Sequence, residues 1–263
     1  MAPHPVLSAG NSAVITGAAR GIGLATARQL AARGMQVTLV DLDQSDLDAA
    51  AGPVSGATAI AADVTDPYAM ADLAARIGPV DFLMNNAVTR TGRGMDAPLD
   101  DWHRAMAVNF WGVVNGVRAF LPGMQARARG MIVNVGSKQG ITNPPGHPIY
   151  NATKAALKSY TESLQHDLRQ TTTSITAHLL IPGWTMPEGP DRKPGAWASD
   201  QVAEFMLAGL AAGDFYLLCP DNDVSTPMDH ARIRWSAADI TENRPPLSRW
   251  HRDFREPADK ACS

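Results

Sequence analysis

Between residues 12 and 220, short β-rich apolar runs alternate with longer helical patterns, and this alternation restricts the fold more than any other feature of the chain. The runs are SAVIT (12–16), MQVTLVD (35–41), ATAIAAD (57–63), VDFLMNN (80–86), MIVNVGS (131–137), SITAHLLIP (174–182) and DFYLLCP (214–220). Helical patterns fall from Gly21 to about Arg33, over 66–77, from about Leu99 to Gln125, around Tyr150, and from about Ser199 to Ala212. None of the runs alternates cleanly between apolar and polar residues. A strand covered by helices on both faces has no polar side to show, so the pattern predicts a parallel sheet. The expected fold is α/β: a doubly wound, mostly parallel, seven-stranded Rossmann-like sheet with helices on both faces.

The 263 residues suit one domain, 1–263, that binds a dinucleotide and carries the catalytic groups. Composition shifts twice. The stretch GWTMPEGPDRKPGAW predicts a substrate lid over about 184–198, and the chain beyond Pro220 predicts a C-terminal extension over about 221–263. The extension has no strand or glycine-loop signal but contains Trp235, Leu247, Trp250 and Phe254, so we expect it to pack on the domain or on a second subunit. A net charge of −3 and a pI near 6.1 argue against nucleic acid or an anionic membrane as a partner. Cys219 and Cys262 form neither a metal cluster nor a disulfide framework and are expected as free thiols, with no metal site. No apolar run reaches the roughly 18 residues of a membrane span, and the expectation is a cytoplasmic protein.

TGAARGIG (16–23) follows the first strand and opens the first helix, with Gly17, Gly21 and Gly23 spaced G-x-x-x-G-x-G around Arg20 and Ile22. Glycines allow a tight turn and close backbone approach, while the helix amides and dipole attract a pyrophosphate. Alone, such a loop is also an ordinary strand-to-helix turn. Asp41 ends the second strand, followed by Leu42, at a separation that lets an acid reach an adenosine ribose hydroxyl. That favours NAD over NADP. Arg20 argues the other way, since a guanidinium can pair with a 2′-phosphate.

Tyr150 and Lys154, in IYNATKAAL, are four residues apart on a helical pattern and share a face. By spacing alone they are ordinary surface neighbours. Ser137 ends the fifth strand, at the rim where open α/β sheets bind ligands. A phenol titrates near 10, too high for a base at neutrality; a cation at about 4 Å with an effective dielectric near 20 contributes roughly 4 kcal/mol, equivalent to about three pH units.

TGAARGIG, Asp63-Val64, NNAV (85–88), Asn109 in AVNFWG, Ser137 in VGSKQG, YNATK and Pro182-Gly183 follow one another in the order of the short-chain dehydrogenases/reductases. Over residues 12 to 220 the chain resembles that family in its short, single-domain form. It departs at Val88, where the family usually has glycine, and lacks the usual glycine pair after the last strand. The resemblance implies that Tyr150 is the acid/base, that Lys154 lowers its pKa and holds the nicotinamide ribose, that Ser137 holds the substrate oxygen and that Asn109 holds a proton-relay water. It places Asp63, Val64, Asn86 and Ala87 at the adenosine, and Pro182, Gly183 and Thr185 at the nicotinamide. Trp184 is a candidate pocket wall or lid residue with Met186 and Trp197. His147, Gln139, Met95, Arg90 and Arg93 lie on loops able to face the pocket, and none identifies a substrate. The implied activity is NAD-dependent interconversion of a small-molecule secondary alcohol and ketone by a homodimer or homotetramer, with the helices near 99–125 and 150–170 at the interface. The alternatives are an NADP-preferring carbonyl reductase and a non-catalytic dinucleotide-sensing binding protein.

Overall fold

A computed structural model describes residues 4–171, 174–187 and 189–262. Residue 188 of the expected lid and both ends of the expected 1–263 domain therefore lie outside the described residues. The first half runs β1 (Ser12–Thr16), α1 (Gly21–Ala32), β2 (Gln36–Asp41), α2 (Gln44–Ala51), β3 (Ala57–Ala61), α3 (Pro67–Ile77), β4 (Phe82–Asn85) and α4 (Leu99–Met106). A π-helical turn over Ala107–Trp111 joins α4 to α5 (Gly112–Ala126). Then come β5 (Arg129–Val135), α6 (Gln139–Thr142), α7 (Pro148–Arg169), β6 (Ser174–Ile181), β7 (Thr185–Met186) and β8 (Trp197–Ala198). The chain continues through α8 (Ser199–Ala212), β9 (Tyr216–Leu218), α9 (Thr226–Thr241) and α10 (Arg255–Cys262).

Seven strands form one parallel sheet in the order β3-β2-β1-β4-β5-β6-β9. The winding reverses beside β1, whose neighbours are β2 and β4, and this reversal opens a crevice at the carboxyl ends of the strands. Successive residues feed opposite cores. Ile15, Leu39, Phe82, Met84 and Val133 pack with Leu30 of α1 and Val202, Met206 and Leu210 of α8. Val14, Val40, Leu83 and Ile132 pack with Met70 and Leu73 of α3, Val117, Phe120 and Met124 of α5, and Leu168 of α7. At roughly 1.5–3 kcal/mol for each large side chain removed from water, both faces favour apolar residues, hence the lack of alternation.

Three regions carry structure that the sequence pattern does not announce. The acidic stretch after Asp41, which shows no helical pattern in the sequence, contains α2: the Asp43 carboxylate accepts from the Asp46 amide (2.9 Å) and caps the helix, while Leu47 is buried. The helix expected over 99–125 is widened by the π turn at its middle. The segment expected as a lid contains the short parallel pair β7 and β8, and Trp197 packs edge-on against Phe205 of α8 at 5.8 Å.

The expected extension is largely helical. Trp235 Nε1 donates to Ser248 Oγ (2.7 Å), the Ser248 amide and hydroxyl donate to Asp239, and the Arg244 guanidinium lies 4.2 Å from the Trp235 ring centroid. Among the described residues no helix is long and apolar enough to cross a membrane.

Candidate active site

The carboxyl ends of β1 to β6 open onto one cavity of about 850 Å³. Its floor begins at the glycine loop. Gly17 has a φ of +64°, and a Cβ there would sit 2.7 Å from the Ala87 Cα, so only glycine fits between the two loops. Gly21 has a φ of +59° and lines the cavity; a Cβ on it would meet no protein atom within 4 Å. The start of α1 above it has no side-chain cap, so the helix amides are left to a ligand. A cradle that open, built of amides at a helix start, fits a dinucleotide pyrophosphate. Gly23 does a different job: a Cβ there would come within 2.5 Å of the Gly17 carbonyl oxygen, so its smallness lets α1 sit down on the loop.

Asn86 fastens β4 to this loop. Its Nδ2 donates to the carbonyls of Thr16 (3.0 Å) and Gly17 (2.8 Å), and its amide donates to Thr16 Oγ1 (3.0 Å). At the end of β2, the Asp41 carboxylate accepts from the amides of Ala19 (3.1 Å) and Leu42 (2.8 Å), which hold a negative charge at the cavity wall. Asp63, after β3, is folded onto Thr65, accepting from its amide and hydroxyl (both 2.8 Å).

The other chemistry-bearing wall comes from β5 and α7. Ser137 and Tyr150 line it, and the Ser137 hydroxyl accepts from the Gln139 amide (3.2 Å). One helical turn past Tyr150, Lys154 is 3% exposed; its Nζ donates to the Val135 carbonyl (2.7 Å) and lies 5.6 Å from the Tyr150 ring centroid. Burial, with a smaller contribution from the Arg90 charge, pushes the Lys154 ammonium down to about 7. A shift of about three pH units in the phenol requires a fully charged lysine. Desolvation, which depends on every element packed around it, draws the ammonium toward neutrality and weakens that cation.

Of the residues expected at the site, Gly17, Arg20, Gly21, Ile22, Asp41, Leu42, Asp63, Val64, Asn86, Ala87, Ser137, Tyr150, Lys154, Pro182, Gly183 and Thr185 all line the cavity. Gly23 and Asn109 lie behind it. Asn109 is fully buried in the π turn: its Oδ1 accepts from the Thr89 amide (2.8 Å), and its Nδ2 donates to the Thr89 carbonyl (3.0 Å) and to Thr153 Oγ1 (3.2 Å). Its side chain thus joins the loop after β4 to α7. The loop residues Gln139, His147, Met95 and Arg93 and the candidate wall residue Trp184 are not part of the lining, whereas Arg90 is.

Sequence reasoning missed Asp43, Asp46, Arg104 and Ser199 in the wall. The capping pattern of Asp43 and Asp46 was the available signal for two of them. It also missed Lys138, next to Ser137, whose Nζ lies 3.2 Å from Asp221 and 2.6 Å from Asp229 of α9. Burial pushes the Asp229 carboxyl up, and the facing ammonium only partly counters this.

Comparison with known proteins agrees with this architecture. The short chain dehydrogenase family profile matches residues 11–191. The chain is 32% identical over 222 residues to a D-beta-hydroxybutyrate dehydrogenase of Rhizobium meliloti, a match covering 78% of this chain and 85% of that one. It superposes with a TM-score of 0.80 and 30% identity on a short chain dehydrogenase/reductase from Burkholderia phymatum in complex with NAD, covering 90% and 96% of the two chains. With a metagenomic short-chain oxidoreductase in complex with NADP the TM-score is 0.70 at 29% identity, covering 81% and 98%. Sequence, sheet order and cavity therefore lead to one conclusion: the chain belongs to the short-chain dehydrogenase/reductase family, NAD(P)-dependent oxidoreductases acting on CH–OH groups.

Proposed function

We propose that this chain interconverts a secondary alcohol and a ketone with NAD, using Tyr150 as acid and base. The observation that carries the reading is that Ser137, Tyr150 and Lys154 line the same cavity as the glycine cradle and Asp41. Bound NAD supplies the hydride acceptor or donor at its nicotinamide. In oxidation the Tyr150 oxygen takes the hydroxyl proton while the carbinol C–H bond gives up its hydride, leaving the ketone; in reduction the phenol returns the proton. Ser137 Oγ orients the substrate oxygen. Lys154 favours the deprotonated phenol when it carries its charge, and Asn109 is a positioning residue that fixes the loop after β4 against α7.

The dinucleotide is proposed to lie along Gly17, Arg20, Gly21 and Ile22, with Asp41, Leu42, Asp63, Val64, Asn86 and Ala87 at its adenosine. Pro182, Gly183 and Thr185 meet its nicotinamide, beneath a lid formed by about 184–198. NAD is preferred because a 2′-phosphate near Asp41 would also face Asp43 and Asp46, three carboxylates against the guanidinium of Arg20. The same reading includes assembly as a homodimer or homotetramer, supported by Trp111, which is 54% exposed while stacked edge-on with Phe110.

The test is Tyr150→Phe, which keeps the ring and removes the transferable proton. Turnover should fall by about 100-fold or more, while NAD binding, read by titration, changes only a few fold. Wild-type turnover in this variant across the pH range refutes the assignment.

A further inference from the structure

The charges of the cavity wall are unevenly sourced. All of its carboxylates, Asp41, Asp43, Asp46 and Asp63, come from the chain at or just after β2 and β3, where the reading above places the adenosine. Around Tyr150 the charges are cationic. Arg90, on the loop after β4, holds its guanidinium carbon 5.1 Å from the Tyr150 ring centroid, and Lys154 Nζ is 5.6 Å from the same centroid. Among the described residues no carboxylate forms an ion pair with Arg90.

That placement is built rather than incidental. Thr89, immediately before Arg90, has its amide and carbonyl both gripped by the buried Asn109 side chain (2.8 and 3.0 Å). On the other side, Thr91 Oγ1 donates to the Asp101 carbonyl (3.0 Å) and the Gly92 amide donates to the Asp101 carboxylate (3.1 Å). The chain thus pins both flanks of a residue that sets one cation against another beside a phenol. Such an arrangement is repulsive in the free protein: the Arg90 charge adds to burial in driving the Lys154 proton off. A bound anion relieves it.

From this geometry we propose that Arg90 binds a carboxylate of the substrate, so that the alcohol handled here is a short hydroxy acid and the ketone its oxo acid. The inference rests on the proposed function and adds the substrate class. A guanidinium fork matches a carboxylate with two parallel hydrogen bonds. Because the guanidinium lies only 5.1 Å from the centre of the Tyr150 ring, the carboxylate must lie a few bonds from the carbinol carbon; a long spacer would carry it past Arg90.

The experiment compares acetoacetate with its methyl ester, nearly equal in shape but not in charge, as oxidants of NADH. It uses the full chain and the variants Arg90→Met and Arg90→Lys. The wild-type enzyme should prefer the acid in kcat/KM by about tenfold or more, the scale of one charged hydrogen-bond pair. Arg90→Met should collapse that ratio, and Arg90→Lys should restore part of it. Equal use of acid and ester by the wild type, or a ratio untouched by Arg90→Met, overturns the assignment while leaving the oxidoreductase reading intact. If neither probe is reduced, butyrate binding to the enzyme–NAD complex is titrated. Binding at least about tenfold tighter in wild type than in Arg90→Met supports the proposal, and equal binding overturns it. If the chain binds no NAD, both readings fall together.

Discussion

Lys154 should cost this protein stability at neutral pH. Its ammonium titrates near 7 in the fold, against 10.5 in an exposed lysine. Between those two values the unfolded chain holds a proton that the folded chain has lost, so stability rises with pH across that window. At about 1.36 kcal/mol per pH unit, keeping Lys154 buried costs roughly 5 kcal/mol at pH 7 and roughly 2 kcal/mol at pH 9. Lys154→Met fills a similar volume and removes this cost, but it leaves the Val135 carbonyl without its donor (2.7 Å), a loss of about 1–3 kcal/mol. The substitution should therefore stabilise the nucleotide-free protein by about 2–4 kcal/mol at pH 7, or roughly 4–16 °C in Tm for a chain near this size. By pH 9 most of that advantage should be gone. The Cys219 thiol, which burial raises from 9.0 to about 12, titrates in wild type and variant alike and cancels in the difference. Paired melting scans of wild type and variant from pH 7 to 9 test the argument. A difference in Tm that does not change with pH, or a variant less stable throughout, would refute it.

Other expectations follow from the same contacts. Asp41→Ser should narrow the preference for NAD over NADP in kcat/KM by about tenfold or more, because it removes one of the three carboxylates that would oppose the pairing of Arg20 with the 2′-phosphate; an unchanged ratio counts against Asp41 as the selector. Lys138→Met should cost about 3–5 kcal/mol, since it leaves Asp221 and Asp229, whose side chains are 7% and 5% exposed, without their shared cation. A Tm drop of only a degree or two would show that the cluster does not anchor α9. Trp111→Glu should lower the mass seen by light scattering while leaving the circular dichroism spectrum unchanged; an unaltered mass moves the interface elsewhere.

The order and kind of the principal elements are legible in local sequence pattern. Each of the seven runs carries an apolar signal within a few residues, and the glycines of TGAARGIG mark a turn whose backbone demands are local. The shared face of Tyr150 and Lys154 was legible for the same reason, since a separation of four residues along a helix fixes which side chains are neighbours. Quantities summed over distant segments emerge only once the chain is folded. The state of Lys154 depends on burial by β5 and α7 and on the charge of Arg90 from another loop. Asn109 acts across the π turn on Thr89 and Thr153, partners that its position in the sequence does not name. The polar, charge-rich tail gave no pattern to read, because its order comes from single contacts such as Lys138 with Asp229 and Trp235 with Ser248 rather than from a repeating apolar face. Periodicity reports which residues are turned inward; it carries no information about what they meet there, and the chemistry of a buried lysine or arginine is set by what it meets.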